Sequence, residues 1–378
     1  MNSPYGEDLE LFRVTVRSFF ERELVPRLPT FEAQGLDRPF WLAAGRAGIL
    51  GTQVPEAYGG AGAGPLPAMV LSEELGRSPM AGATGSSLNS DVLTGMLVEY
   101  GSAEQHGRWF PGILCGELTQ ALAVTEPQAG SDVSLLRTTA LRRGGEYVVN
   151  GSKCFITNGA KADLIYTVAR VTPQADSRFL TLLAIPGDAP GVTRRRTRTA
   201  GFRACDTGEI FFDDVRVPVS NRIGEEGNAL RIFRSLMTHD RLQIAARSLA
   251  AAQTGFEMTV DYVRQRPIFG GRLVDMQNTQ FVLAGLETEL AVGRAYLEKL
   301  VGKIAAGTLE AVDGAMAKIW LPELEARVID ACVQLWGGAG MMDESPIARL
   351  HGASRVQRIY AGATELMKAQ IARRYFAA

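Results

Sequence analysis

Glu146-Tyr147-Val148-Val149-Asn150-Gly151-Ser152-Lys153-Cys154-Phe155-Ile156-Thr157 decides the fold class. Aromatic and β-branched residues flank an Asn-Gly pair, the strongest short-range signal for a two-residue hairpin turn, so two strands joined at Asn150-Gly151 are expected. Working outward, Ile165-Tyr166-Thr167-Val168, Phe179-Leu180-Thr181-Leu182-Leu183 and Glu209-Ile210-Phe211-Phe212 read as further short strands. Between roughly 116 and 218 the turns lie too close together for crossover helices, so the pairing is expected to be antiparallel.

On both sides the period becomes helical. Leu9, Phe12, Val16 and Phe19 recur at spacings of three and four, and helical character continues to about Leu114. Only Pro55-Glu56-Ala57-Tyr58-Gly59-Gly60-Ala61-Gly62-Ala63-Gly64-Pro65 breaks it, as a loop. After Gly227, Leu242, Ala245, Leu249, Ala252, Phe256 and Val260 keep the same spacing. Leu283, Leu286, Leu290, Leu297, Leu300 and Ile304 follow a heptad pattern, with Gly293 filling one slot. Long helices with a narrow apolar seam favour an antiparallel bundle that can also supply subunit contacts. The expected class is α+β: a helical domain over 1–115, an antiparallel β domain over 116–225 and a four-helix-bundle domain over 226–378.

Composition narrows the function. A chain of 378 residues suits two or three domains. Lys+Arg and Asp+Glu stand at 40 and 41, so the basic surplus that nucleic-acid phosphates require is missing. Cys115, Cys154, Cys205 and Cys332 form no CxxC pair and only 3 histidines occur, so no metal site is expected and the thiols read as reduced. An acidic, polar N-terminus is no signal peptide, and no apolar run approaches the ~20 residues of a membrane span, so the expected location is the cytoplasm.

Four stretches carry chemistry. In Ala123-Val124-Thr125-Glu126-Pro127-Gln128-Ala129-Gly130-Ser131-Asp132, Pro127 stiffens a loop while Gly130-Ser131 offers small residues and N–H groups to a planar or phosphorylated ligand. The others are Lys153-Cys154-Phe155-Ile156-Thr157-Asn158-Gly159, residues 262–277 (YVRQRPIFGGRLVDMQ) and residues 334–368, which open on QLWGGAG. In this order and at this spacing they resemble the acyl-CoA dehydrogenase family, and the resemblance covers essentially the whole chain.

The resemblance implies FAD bound between the β domain and the C-terminal helical domain of a homotetramer or homodimer. By the same likeness, Val124 and Thr125 lie beside the flavin ring, Thr157 offers it a hydroxyl, and Phe155 stands where many members place Trp. Gly130 and Ser131 match the loop near flavin and substrate. Arg266, Phe269 and Gln277 match residues that reach a neighbouring subunit's FAD, Gln334 and Gly338 match further FAD contacts, and Glu365 stands where the family carries Gln or Glu. Ser131, Arg241 and Tyr360 fall on the substrate side.

Removing a proton beside a thioester needs a base while hydride leaves for flavin N5. Most of the family carries that base as Glu within YEGT, but here the segment reads Tyr360-Ala361-Gly362-Ala363. A minority keeps it on another helix just before an Arg, where this chain has Thr238-His239-Asp240-Arg241-Leu242. Asp240 thus occupies the alternative base position, with about 1.5 Å less reach than Glu. The other reading pairs Asp240 with a helix arginine and gives it no chemistry. A backbone N–H at Ala361 needs no side chain, so the family's donor to the thioester oxygen survives.

The expected activity is dehydrogenation of an acyl-CoA to its 2,3-enoyl-CoA, with an electron-transferring flavoprotein or oxygen as acceptor. The alternatives are an enzyme acting on a thioester carried by an acyl or peptidyl carrier protein and a catalytically silent flavoprotein subunit. Arg194-Arg195-Arg196 with Arg198 is a basic cluster for CoA phosphates or an acidic carrier, or a solvated charge run.

Overall fold

A computed structural model of the chain describes residues 5–78, 88, 90–171 and 179–376. Its N-terminal helices are α1 (Glu7–Phe19), α2 (Leu28–Gln34), α3 (Arg38–Arg46), α4 (Leu66–Arg77), α5 (Ser90–Tyr100) and α6 (Ala103–Cys115). Local chemistry marks their ends. Asp37 accepts the Phe40 N–H at 3.0 Å to start α3. At the start of α6, Ser102 and Gln105 satisfy each other's backbone N–H groups, and Gly116 closes the helix at φ 82. Phe19, Phe31 and Phe40 interlock beneath α1 with ring centroids 5.3 and 5.5 Å apart.

The strands are β1 (Gln120–Ala123), β2 (Thr139–Arg143), β3 (Glu146–Ile156), β4 (Leu164–Arg170), β5 (Leu180–Pro186), β6 (Val192–Arg196), β7 (Gly208–Pro218) and β8 (Arg222–Ile223). They form one 8-stranded sheet in the order β6-β7-β3-β2-β4-β5-β8, with β1 on β4. Successive residues of β4 and β5 feed opposite cores. Tyr166, Val168, Leu180 and Leu182 pack with Trp109 and Phe110 of α6, while Ile165, Ala169, Leu183 and Ile185 pack with Tyr147, Ile210 and Val215.

Two expectations need correction. The hairpin turn is Gly144-Gly145, between Arg143 and its partner Glu146, and not Asn150-Gly151. The Asn-Gly pair lies inside β3, where the register against β7 shifts between Val149 and Gly151. There the Asn150 amide donates to Asp214 at 2.9 Å and accepts the Asp214 N–H at 2.9 Å, while a Cβ on Gly151 would lie 2.8 Å from the Thr138 Cα. Asn-Gly therefore serves a β-bulge and a close backbone approach. The sheet is also mixed. β1 pairs parallel with β4 from Gln120↔Leu164 to Ala123↔Thr167, and β2 meets β4 parallel at Thr139↔Arg170. The chain between β1 and β4, with the β2–β3 hairpin inside it, is long enough to make the crossover that parallel strands need.

The C-terminal part comprises α7 (Ala229–Gln265), a small hairpin of β9 (Pro267–Ile268) and β10 (Gly271–Arg272), α8 (Gln277–Ala305), α9 (Ala311–Trp336), α10 (Pro346–Val356) and α11 (Thr364–Phe376). Leu242, Ala245 and Leu249 of α7 meet Leu286, Leu290 and Leu297 of α8 and Leu321, Leu324 and Val328 of α9. Gly293 fills its heptad slot because a Cβ there would lie 2.9 Å from Leu324 and 3.0 Å from Leu249. Met69 and Val70 of α4 join this core, and Gly76 admits the α7 backbone at Arg247, where a Cβ would come within 2.3 Å of a carbonyl oxygen. Among the described residues no helix is long and apolar enough to cross a membrane.

Candidate active site

One wall is built on the sheet. Lys153 is buried and donates to the Val124 carbonyl at 2.9 Å and to Glu126 at 2.8 Å. Glu126 also accepts the N–H groups of Arg137 and Thr138 at 2.7 and 3.0 Å, and Cys154 donates its N–H to the Thr125 carbonyl at 2.9 Å. The segment 124–126 is thereby laced to β3. Burial pulls the Lys153 ammonium down to about 8 against the opposing pull of Glu126. Burial pushes the Glu126 carboxyl up, but the Lys153 charge and the amide donors outweigh it and hold it below its ordinary value. A buried pair this well bonded contributes fixed geometry more than stability.

At the end of β3, Phe155 is 69% exposed with φ 58. Left-handed backbone in a bulky residue is strained, and such strain concentrates at functional positions. Phe155 follows Lys153 and Cys154, which hold Val124 and Thr125, and Thr157, two residues on, is half-buried. Gly130 and Ser131 are exposed, and a Cβ on Gly130 would meet nothing within 4 Å.

The second wall joins α7 to the 359–363 turn. Arg241 donates through Nε to the Ala361 carbonyl at 3.3 Å and through Nη1 to Gln370 at 3.0 Å. Lys318, on α9, donates to the Gly362 carbonyl at 2.6 Å. Tyr360 donates its hydroxyl to Gln357 at 2.7 Å and accepts from the buried Arg247, which also donates to Gln357 at 3.3 Å. Ala361 and Gly362 both have positive φ, 53 and 99. With its following carbonyls held in this way, the Ala361 N–H makes no hydrogen bond among the described residues.

Asp240 is half-buried on α7, and its charge is felt at Arg241, Lys318 and Tyr360. Burial lowers the Arg241 guanidinium and Asp240 opposes it. Burial, then Arg241, brings Lys318 down to about 8 against Asp240, Glu365 and Glu323. Burial pushes the Tyr360 phenol well up. One carboxylate therefore acts by its charge on the turn and on the two cations, Arg241 and Lys318, that hold it.

The structure thus brings Asp240, Arg241, Tyr360 and Ala361 together, and separately gathers Val124, Thr125 and Phe155. Glu365, in the first turn of α11, is exposed and acts on this region through its charge at Lys318. Arg266, Phe269, Gln277, Gln334 and Gly338 form a third, exposed group. It is tied together where Tyr262 stacks on Trp336 at 4.3 Å and donates to its carbonyl at 3.2 Å. Among the described residues, no hydrogen bond, ion pair or ring contact joins that group to either wall.

Three arginines of the cluster bind the fold. Arg194 donates to the Ala162 carbonyl at 2.7 Å, Arg195 pairs with Glu209 at 2.6 Å, and Arg196 pairs with Asp206 at 3.3 Å. Among the described residues no group of His, Cys, Asp or Glu could hold a metal ion.

Sequence reasoning missed Lys318, Arg247 and the Glu126–Lys153 pair. A signal for Lys318 existed. The buried stripe of α9 runs Gly314, Lys318, Leu321, Glu325, Val328, Cys332, alternating spacings of four and three, with two charged residues at core positions.

An exposed aromatic residue with strained backbone, half-buried Thr125 and Thr157, and a backbone donor with no acceptor among the described residues suit a planar cofactor with polar edges and a thioester. Three family models match: acyl-CoA dehydrogenase N-terminal domain over 6–117, middle domain over 121–215 and C-terminal domain over 228–376. The long-chain specific acyl-CoA dehydrogenase of Sus scrofa mitochondria is 38% identical over 373 residues, 98% of this chain and 86% of that protein. The structure of an acyl-CoA dehydrogenase from Geobacillus kaustophilus is 39% identical with a TM-score of 0.93, covering 98% of each chain. A glutaryl-CoA dehydrogenase from Mycobacterium smegmatis in complex with FADH2 is 26% identical with a TM-score of 0.86, covering 99% of this chain and 96% of that one. With matches along nearly its whole length and a shared fold, the chain belongs to the acyl-CoA dehydrogenase family of oxidoreductases.

Proposed function

We propose that this chain binds FAD and dehydrogenates an acyl-CoA between C2 and C3, with Asp240 as the base. The observation that carries this reading is the charge of the Asp240 carboxylate acting on a turn whose Ala361 N–H has no acceptor among the described residues and whose next two carbonyls are held by Arg241 and Lys318. A thioester oxygen accepting the Ala361 N–H gains stabilisation as enolate charge develops, which makes the α-proton acidic enough for a carboxylate. Asp240 takes that proton. Bound FAD supplies the acceptor for the hydride leaving the β-carbon. Val124, Thr125, Phe155 and Thr157 would hold the flavin ring, with Gly130, Ser131 and Glu365 as further contacts. Ser131, Arg241 and Tyr360 border the thioester. Arg266, Phe269, Gln277, Gln334 and Gly338 complete the cofactor site of another copy of the chain, in a homodimer or homotetramer. An electron-transferring flavoprotein or oxygen then reoxidises the enzyme.

The test is anaerobic bleaching of the flavin by a panel of acyl-CoA and carrier-bound acyl thioesters. Acyl-CoAs are expected to bleach it; reduction by carrier-bound thioesters alone would move the substrate to that class, and no reduction by any would leave a silent flavoprotein. Asp240→Asn keeps the side chain's shape and removes its basicity, so the rate should drop by at least ~10²-fold. Asp240→Glu should retain activity. A folded, flavinated Asp240→Asn enzyme bleaching at the wild-type rate would remove Asp240 from the chemistry.

A further inference from the structure

Lys318 is 0% exposed, in the apolar stripe of a long helix where leucine would ordinarily stand. Burying an ammonium is unfavourable unless it is bonded, and its bond here runs to the Gly362 carbonyl at 2.6 Å. Arg241 holds the preceding carbonyl, that of Ala361, at 3.3 Å. Just before these anchors the backbone has φ 53 at Ala361, a value that L residues rarely adopt. Left-handed alanine persists only where its surroundings over-determine it. Glycine follows because a Cβ on Gly362 would lie 2.6 Å from Met367.

We propose that Lys318 is a positioning residue that clamps the Ala361–Gly362 turn in the conformation from which the Ala361 N–H serves the thioester oxygen, while its charge favours the ionised form of Asp240. The inference rests on the dehydrogenase reading above. Facing the ammonium are Asp240 and Arg241 from α7, Glu365 from α11 and Glu323 from its own helix. Lys318 touches neither substrate nor flavin in this scheme. It acts through a carbonyl two peptides beyond the donor, where a misplacement of about 1 Å is enough to slow the chemistry ~10²-fold. A neutral amide can replace the hydrogen bond but not the charge, so the two contributions separate.

Lys318→Met removes both, and Lys318→Gln keeps a donor. In the flavin-loaded proteins, backbone hydrogen exchange over 359–363 should quicken at least ~10-fold in Lys318→Met and return towards wild type in Lys318→Gln. Flavin reduction by an acyl-CoA should slow at least ~10-fold in Lys318→Met, with its apparent binding constant changed less than ~3-fold, and recover in Lys318→Gln. The acid limb of the rate profile should move to higher pH in both variants, because both keep Arg241 but lack the second cation beside Asp240. Unchanged exchange and unchanged rate in Lys318→Met would overturn the proposal. So would parallel losses of rate, FAD content and melting temperature in both variants, the mark of a residue that only supports the fold. Quickened exchange in Lys318→Met, restored in Lys318→Gln, in a protein whose wild-type flavin no thioester reduces would uphold the clamp and defeat the dehydrogenase reading instead.

Discussion

Burial pushes the Glu325 carboxyl up because the two arginines and the polar groups around it offset only part of the cost of burying a negative charge. It is 0% exposed in the core of α9, and its carboxyl oxygens make no hydrogen bond among the described residues although Ser248, Arg247, Arg358 and Gln357 surround it. Burial, the largest influence, raises its pKa from 4.5 to about 8. The sign follows directly. The folded state binds the proton more tightly than the unfolded state, so the stabilisation is complete below 4.5 and is lost as pH rises through about 8. Lys153 and Lys318, drawn down from 10.5 to about 8, act oppositely, adding stability between about 8 and 10.5. Glu325→Gln therefore isolates the carboxyl. The difference in stability between variant and wild type, from denaturant unfolding at pH 5 to 9, should shift steadily in the variant's favour as pH rises. Each unit of displaced pKa is worth about 1.4 kcal/mol, so the shift reaches a few kcal/mol at most. A pH-independent difference would mean that Glu325 is ionised in the fold. At this scale legibility was uneven. Asp240 was singled out because Arg241 and Leu242 follow it in a recognisable order, whereas Lys318 and Glu325 were hidden by the usual expectation that charges on a helix face water.

Elements were legible where period and length agreed. The heptad run in α8 emerged with its glycine explained by packing, and the strand reading at Ile165-Tyr166-Thr167-Val168 falls inside β4. The Asn150-Gly151 turn failed for a physical reason. Asn-Gly signals tolerance of unusual backbone, and a bulge uses that tolerance as readily as a turn does. What separates the two is a long-range partner, here Asp214 on β7 and Thr138 before β2, and no local window contains either. The distinction has a measurable consequence. At Gly144, in the true turn, φ is 61 and a Cβ would meet nothing within 4 Å, so Gly144→Ala should destabilise by only about 1 kcal/mol. At Gly151 φ is 145 and a Cβ would lie 2.6 Å from the Thr138 hydroxyl and 2.8 Å from its Cα. Gly151→Ala should therefore destabilise by about 2–4 kcal/mol, strain and overlap together. Equal denaturant midpoints for the two variants would contradict the bulge.

For the whole molecule, the question is why so much of the expected cofactor machinery stands apart. Phe269 is 93% exposed at the tip of the β9–β10 hairpin, held at φ 47, beside exposed Arg266 and Gln277. An aromatic ring strained into full exposure marks a binding surface more than a packing accident. Phe281, Val292 and Trp320 add apolar area on α8 and α9, at 66, 55 and 40% exposure. A second copy of the chain would cover such a surface and bring Arg266 and Phe269 to its FAD, so cofactor retention should depend on assembly. Arg266→Ala should weaken FAD binding by about 1.5–3 kcal/mol, the worth of a hydrogen bond from a charged donor. Phe269→Ala should weaken it as well, since the ring's apolar area would cover the cofactor. Flavin absorbance and molar mass measured together on dilution would follow both quantities. Wild-type protein should lose FAD over the concentration range in which it dissociates, and the variants should lose it at concentrations where they are still assembled. A dilute monomer that keeps its full complement of FAD, with affinity unchanged by Arg266→Ala, would show that each chain builds its cofactor site alone.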